Sequence, residues 1–230
     1  MYRVEDKFLC SECDMVMLQS RVGGVMNPDV FSRDGYYRVT SLYFDDYTDS
    51  CLQDADDGVD HRNKYRIRIY NGDVNVIKLE VKYKLYNRVY KKSRTISKEI
   101  ASRIIEGECV VDNEISMDNP ITLFNLAISK DLLRPKVVVE YDRCAYVFSP
   151  GNVRITFDRN IRGSDDIYDF LDDKCSYTMV QDTNRILEVK YDEFLPGFIA
   201  QVLENGNMIQ TAYSKYKLCR EQMEEWIHVN

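Results

Sequence analysis

Basic residues recur at every second position through KYRIRIYNGDVNVIKLEVKYK, residues 64–84. Lys64, Arg66 and Arg68 share one parity before Asn71-Gly72-Asp73, and Lys78, Glu80, Lys82 and Lys84 share one after it. Successive side chains of an extended strand point to opposite faces. Both runs therefore carry a charged face, with Tyr65, Ile67, Ile69, Ile77, Leu79, Val81 and Tyr83 on the apolar one. The spacing predicts a β-hairpin whose charged side is mostly cationic. Such a face suits a polyanion, or an anion–metal complex. A single hairpin of this kind is ordinarily a surface sheet with one wet side, so the chemistry depends on whether the pattern repeats.

It repeats. Arg154, Thr156 and Asp158 alternate with Val153, Ile155 and Phe157. Glu188, Lys190 and Asp192 alternate with Leu187, Val189 and Tyr191. Arg3, Glu5 and Lys7 do so more weakly, because Asp6 interrupts the apolar face. Ordinary wet faces mix Ser, Thr, Asn and Gln with charge, whereas these carry almost nothing but charge, Thr156 being the exception. If the sheet closes on itself, the charged faces line a lumen and no edge is left exposed. A cationic lumen repels itself when empty and is satisfied by an anion, with low-dielectric walls strengthening each contact. This reading reaches an anion tunnel and stops short of a reaction.

The elements that would hold these strands are legible around them. Ser11 reads as an N-cap for a helix carrying Met15, Leu18 and Val22. Ser97 caps a short helix with Ile100, Ile104 and Ile105. Asn119-Pro120 opens the most apolar helix, with Leu123, Phe124, Ala127 and Ile128. Further helices are predicted from Pro196 and from near Ser214, the latter through Leu218, Met223, Trp226 and Ile227. Strands are predicted over 36–45, 88–96 and 136–148, and the acidic stretch Asp45 to Arg62 reads as a loop with one helical turn. The economical arrangement places the helices outside, on the apolar face of the sheet. Tyr37 and Tyr43 read as barrel packing and Trp226 as an anchor of the last helix. No repeat, linker or low-complexity tract divides the 230 residues, so a single domain over 1–230 is expected.

The net charge of −7 argues against a general nucleic-acid binder, which needs broad phosphate neutralisation. No apolar run is long enough to span a bilayer, and the chain opens on a charged strand; the expected location is cytoplasmic. Seven cysteines form no secreted framework. Cys10 and Cys13 make one CxxC without the partners a zinc site needs, since the two histidines are His61 and His228. No Ser–His or Cys–His arrangement points to a covalent nucleophile.

The order and spacing of RVEDK at the start, SLYFDD at 41–46, KYRIRIY, LEVKYK, KKSR at 91–94, VEYDR at 139–143, VRITFDRNIR at 153–162, ILEVKYD and YSKY at 213–216 resemble the VTC catalytic domain of polyphosphate polymerases, a branch of the triphosphate tunnel metalloenzymes. The resemblance implies an α+β fold: a closed antiparallel β-barrel with a charged lumen, flanked by amphipathic helices. It implies transfer of the γ-phosphate of ATP onto inorganic polyphosphate, with Mn²⁺ or Mg²⁺. Matched by motif position, Lys7, Arg66, Arg68, Lys82, Arg94 and Arg143 are expected at phosphate, with Lys190, Ser214 and Lys215 as further candidates. Glu188 is expected at the metal, with Glu5 and Glu80 as second choices whose other role is to hold neighbouring cations. Ala212 stands where some members carry a lysine, leaving one contact absent or supplied elsewhere, as by Lys217. The resemblance is to stand-alone, bacterial-type members. A phosphohydrolase of the same fold, cleaving triphosphate or a nucleotide, and a non-catalytic polyphosphate binder are the alternatives.

Overall fold

The computed structural model describes residues 3–32, 34–86, 88–180, 185–205 and 208–229, with side chains apart from those of 56 and 224–229; the expected anchoring role of Trp226 falls outside the described side chains. Eight strands form a ring: β1 (Arg3–Cys10), β3 (Tyr37–Asp45), β4 (His61–Tyr70), β5 (Asp73–Leu85), β6 (Arg88–Ile96), β7 (Arg134–Phe148), β8 (Val153–Ser164) and β10 (Arg185–Tyr191). Their order is β7-β3-β4-β5-β6-β1-β10-β8, and β8 returns to β7, which closes the barrel; every pairing is antiparallel. The short strands β2 (Asn27–Pro28), β9 (Thr178–Met179) and β11 (Ile209–Gln210) add to β7, β8 and β1.

The hairpin of β4 and β5 follows the predicted parity. Arg66 lies opposite Glu80, Arg68 opposite Lys78 and Lys64 opposite Lys82. Asn71 and Gly72 both have positive φ, 52° and 72°, between paired Tyr70 and Asp73, which is the two-residue turn that matches strand twist. A Cβ at Gly72 would also collide with Arg38 Nη2 at 2.5 Å.

Helices α3 (Lys98–Ile105) and α4 (Pro120–Asp131) cover the outward apolar face of this hairpin. Ile67, Ile69, Leu79 and Val81 pack with Ala101, Ile104, Phe124 and Ala127 in one buried cluster. Each fully buried aliphatic or Phe side chain contributes about 1.5–3 kcal/mol. Across the barrel, α1 (Glu12–Gly23) and α5 (Gly197–Leu203) cover Ile155, Phe157, Leu187 and Val189 with Met15, Leu18, Val22, Ile199 and Leu203. The anticipated caps form: Ser11 makes a reciprocal capping box with Asp14, Ser97 accepts from Ile100 N, and Asn119 accepts from Ile121 N ahead of Pro120. In the acidic stretch a full helix forms, α2 (Ser50–Asp56), because buried Asp45 accepts from the N–H groups of Cys51 and Leu52 across its N-terminus.

One helix departs from the expected outer layer. In α6 (Lys215–Val229), Tyr216 and Cys219 are buried with Val137, Val139, Ile161 and Ile186, residues of the inward face. These apolar residues occupy one end of the lumen and need cover. Two features admit the helix. A bulge between Glu140 and Asp142, with Asn160 at φ 53°, shifts the parity of β8 after Asp158. Gly163 then meets Cys219, whose Cβ would lie 3.0 Å from a Cβ on the glycine.

Candidate functional site: a cationic chamber inside the barrel

The charged faces converge on a chamber of about 780 Å³. Twelve cations line it: Arg3 and Lys7 from β1, Lys64, Arg66 and Arg68 from β4, Lys78 and Lys82 from β5, Lys91 from β6, Arg143 from β7, Arg154 from β8, Lys190 from β10 and Lys215 from α6. Three carboxylates, Glu5, Asp29 and Glu188, share the wall. The excess is strongly positive although the whole chain carries −7. Past a collar of Lys7, Lys64, Lys82 and Ser214 lies a second cavity of about 80 Å³, where Arg62 and Lys84 add further positive charge beside Tyr213.

Four carboxylates, Glu80, Glu5, Asp158 and Glu188, are each shared among cations. Glu80, 1% exposed, bonds Arg66 at 2.7 Å and also Lys91, with Arg68 at 3.8 Å. Glu5 meets Lys82 at 2.7 Å, Lys190 at 3.3 Å and Lys7 at 3.4 Å. Buried Asp158 receives both Nε and Nη2 of Arg143 at 2.7 Å, and Lys215 at 2.7 Å. Glu188 lies 3.3 Å from Lys190 and 3.7 Å from Arg143. These acids fix the basic side chains without neutralising them, which is the preorganisation that binding a dense anion requires.

The electrostatics record that imbalance. Burial opposes ionisation of Glu5, yet Lys82, Lys190 and Lys7 hold it well below the usual carboxylate range. Glu80 is held low against burial by Arg66, Arg68 and Lys91. Lys82 is pushed down to about 7 by burial, with Lys7 and Lys190 adding to the shift against Glu5. Lys64 is also pushed well down, by burial and then by Lys7, Lys82 and Arg62; its ammonium donates to Ser214 Oγ at 2.8 Å. Within the collar, Lys64 and Lys82 therefore hold their protons less firmly than a free lysine, whereas, against burial, Glu5 and Glu188 hold the Lys7 ammonium above its ordinary value.

The model of the VTC domain family matches residues 2–224. The chain belongs to the VTC domain family. No curated protein matches it in sequence. Among solved structures, a candidate adenylyl cyclase from Hippeastrum, described as revealing a dominant triphosphatase activity, is 12% identical, with a TM-score of 0.56 over 96% of this chain and 95% of that one. A candidate adenylate cyclase from Bacillus halodurans is 14% identical, with a TM-score of 0.50 over 82% of this chain and 79% of that one. At these identities the likeness is one of fold, the closed antiparallel tunnel barrel.

In this VTC domain, Lys7, Arg66, Arg68, Lys82, Arg143, Lys190, Ser214, Lys215, Glu5 and Glu188 all border the chamber. Ser214 also begins α6, its Oγ accepting from Lys217 N at 3.3 Å. Arg94 requires correction. It pairs in register with outward Leu79 and is bound to Asp112 outside the barrel, while Lys91, opposite Lys82, supplies the inward cation of β6. Lys217 pairs with Glu221 along α6 and does not border the chamber. Glu80 lies behind its cations and off the chamber surface. Residues the sequence reading passed over are Lys91, Arg154, Tyr141 and Asp158. The parity of β8 already carried Arg154 and Asp158; for Lys91 the signal was register with β5.

The carboxylates of the VTC chamber bear on metal chemistry. Among the described residues no three His, Cys, Asp or Glu side chains gather as a protein-only cage. Glu5 and Glu188 sit one register step apart, Glu5 opposite Lys190 and Lys7 opposite Glu188. One or two carboxylates completed by phosphate oxygens and water is a donor set suited to Mg²⁺ or Mn²⁺.

Proposed function

We propose that this VTC domain is a polyphosphate polymerase, moving the γ-phosphate of ATP onto a growing inorganic polyphosphate chain. The observation that carries this reading is the extent of positive charge: Lys7, Lys64, Lys82 and Ser214 line both the chamber and a second cationic cavity with Arg62 and Lys84. The two together offer cations beyond what one triphosphate needs, which suits a chain of phosphates.

Arg66, Arg68 and Arg143 present planar forks to phosphate oxygens, and Lys7, Lys82, Lys190 and Lys215 act as point charges. Their fixed array stabilises the charge spread over the transferring phosphoryl group, whose transition state asks for positioning and neutralisation more than covalent chemistry. A terminal phosphate oxygen of the chain attacks the γ-phosphorus, the bond to the β-phosphate oxygen breaks, and ADP leaves. Glu188, with Glu5 beside it, would hold a divalent cation. Mn²⁺ or Mg²⁺ held there would supply Lewis-acid neutralisation of phosphate charge. The cysteines are free and four of them are buried, which with ATP dependence suits the cytoplasm. No helix among the described residues is long and apolar enough to cross a membrane.

A phosphohydrolase is the second reading, favoured by the triphosphatase activity described for the Hippeastrum protein of the same fold. Against it, all three chamber carboxylates are engaged, Glu5 and Glu188 by Lys7, Lys82, Lys190 and Arg143 and Asp29 by Arg154, which leaves little to orient a water. Incubation with ATP and Mn²⁺ separates the readings. Long polymer on a gel together with ADP supports the polymerase; orthophosphate without polymer supports the hydrolase; nucleotide binding without either product marks a non-catalytic binder.

A further inference from the structure

Phe31 lines the chamber and yet stands 57% exposed, which puts it at the chamber's rim. Its ring lies nearly parallel to that of Tyr70, 12° between planes with centroids 5.7 Å apart, and 5.7 Å from Tyr37. Tyr37 is buried beneath, 6.1 Å from Tyr70. Scattered exposed hydrophobics need no explanation. This one is different in how firmly it is held. Phe31 N donates to Asp29 Oδ1 at 2.8 Å, Asp29 N to Ala145 O at 2.9 Å, and Ala145 N to Ser32 Oγ at 2.8 Å, so the turn carrying the ring is tied to β7 on both sides. Asp29 is also paired with Arg154, whose Nη2 donates to Tyr37 OH at 3.2 Å. The first phosphate-directed cation thus begins where the aromatic stack ends.

A flat apolar surface joined to a row of cations matches a ligand with an aromatic ring at one end and phosphates at the other. We infer that Phe31, backed by Tyr70 and Tyr37, is a stacking platform for the base of a nucleoside triphosphate whose phosphates enter the chamber. This rests on the proposed nucleotide use of the site and adds a subsite for the nucleoside. Stacking reads the π-face and not the base edge, so the platform discriminates nucleoside triphosphate from inorganic triphosphate more than it discriminates one base from another.

The test compares ATP with inorganic tripolyphosphate by calorimetry on the intact protein. In Phe31→Ala and Phe31→Leu, the ATP dissociation constant should rise about 5- to 20-fold, the lower part of the range for base–aromatic stacking given the ring's exposure. Tripolyphosphate affinity should stay within about twofold, and Phe31→Trp should restore ATP binding. Equal weakening of both ligands would show that Phe31 only supports the fold of the opening, and no change in either would remove the platform; both outcomes overturn the inference while leaving the polymerase reading in place. An ATP-selective loss in the Phe31 variants together with no polymer made by the wild type would sink the polymerase and keep the platform. Failure of the wild type to bind either ligand would overturn both.

Discussion

Replacing Glu80 by Gln isolates what the buried acids do for a cationic barrel. Glu80 is 1% exposed and serves Arg66, Arg68 and Lys91 at once. The amide keeps the shape and removes the charge, leaving the two arginines without their carboxylate. Truncating one partner of a buried pair costs about 3–5 kcal/mol. The guanidinium and ammonium groups here border a wet chamber, which screens part of that cost, so about 2–3 kcal/mol is expected. For a chain of this size each kcal/mol moves Tm by about 2–4 °C, giving a fall of about 4–12 °C. Phosphate restores what the acid supplied. Tripolyphosphate should therefore stabilise Glu80→Gln by more than it stabilises wild type, beyond the roughly 2.7 kcal/mol that any ligand gives at a hundredfold excess over its dissociation constant. Thermal melts with and without tripolyphosphate, in metal-free buffer, provide the measurement. An unchanged Tm, or a smaller ligand-induced shift than wild type, would refute the assignment of Glu80 as the anchor of these arginines.

Three further outcomes follow from the same geometry. Burial pushes Lys82 down to about 7, and a bound polyanion raises its pKa, so triphosphate binding at pH 8.5 should take up protons and affinity should fall as pH rises; calorimetric enthalpies that do not vary with the buffer's ionisation heat would exclude this. Arg68→Ala should weaken tripolyphosphate binding by about 10- to 150-fold, the loss of charged hydrogen bonds, whereas Arg94→Ala, outside the barrel, should stay within about twofold; similar losses would contradict the opposite faces assigned to them. Glu188→Gln should abolish metal-dependent turnover and retain metal-free tripolyphosphate binding, and wild-type turnover in that variant would remove Glu188 from the reaction.

The β4–β5 hairpin was legible because its two-residue period is clean over Lys64–Arg68 and over Lys78–Lys84, although the register shifts between Arg68 and Tyr70 on the way to the Asn-Gly turn. Strand β6 was not, since Lys91, Lys92 and Arg94 put cations on both of its faces; only pairing with β5 decides that Lys91 turns inward and Arg94 outward. In β8 the alternation is readable up to Asp158, after which the bulge at Asn160 reverses it, and local composition does not announce a bulge. Asp158 was visible on a charged face, but its hold on Lys215 joins a strand to a helix far along the chain. The entry of Tyr216 and Cys219 into the barrel end is likewise a tertiary matter. An amphipathic helix shows which side is apolar, not whether the surface it will meet is the outside of a sheet or its lumen.

Strand β1 has a consequence for how the chain folds. It is the seam of the ring, paired on one side with β6 and on the other with β10, and its Asp6 receives Tyr191 from 185 residues away. Until β10 arrives, β1 and β6 leave an open edge backed by an array of like charges. Closure of so distant a contact delays the gain from all the local hairpins, so folding should be slow and its rate-limiting step should be joining of the seam. Polyanions present during that interval would shield the lysines and arginines from one another, and refolding with tripolyphosphate should be faster as well as more complete.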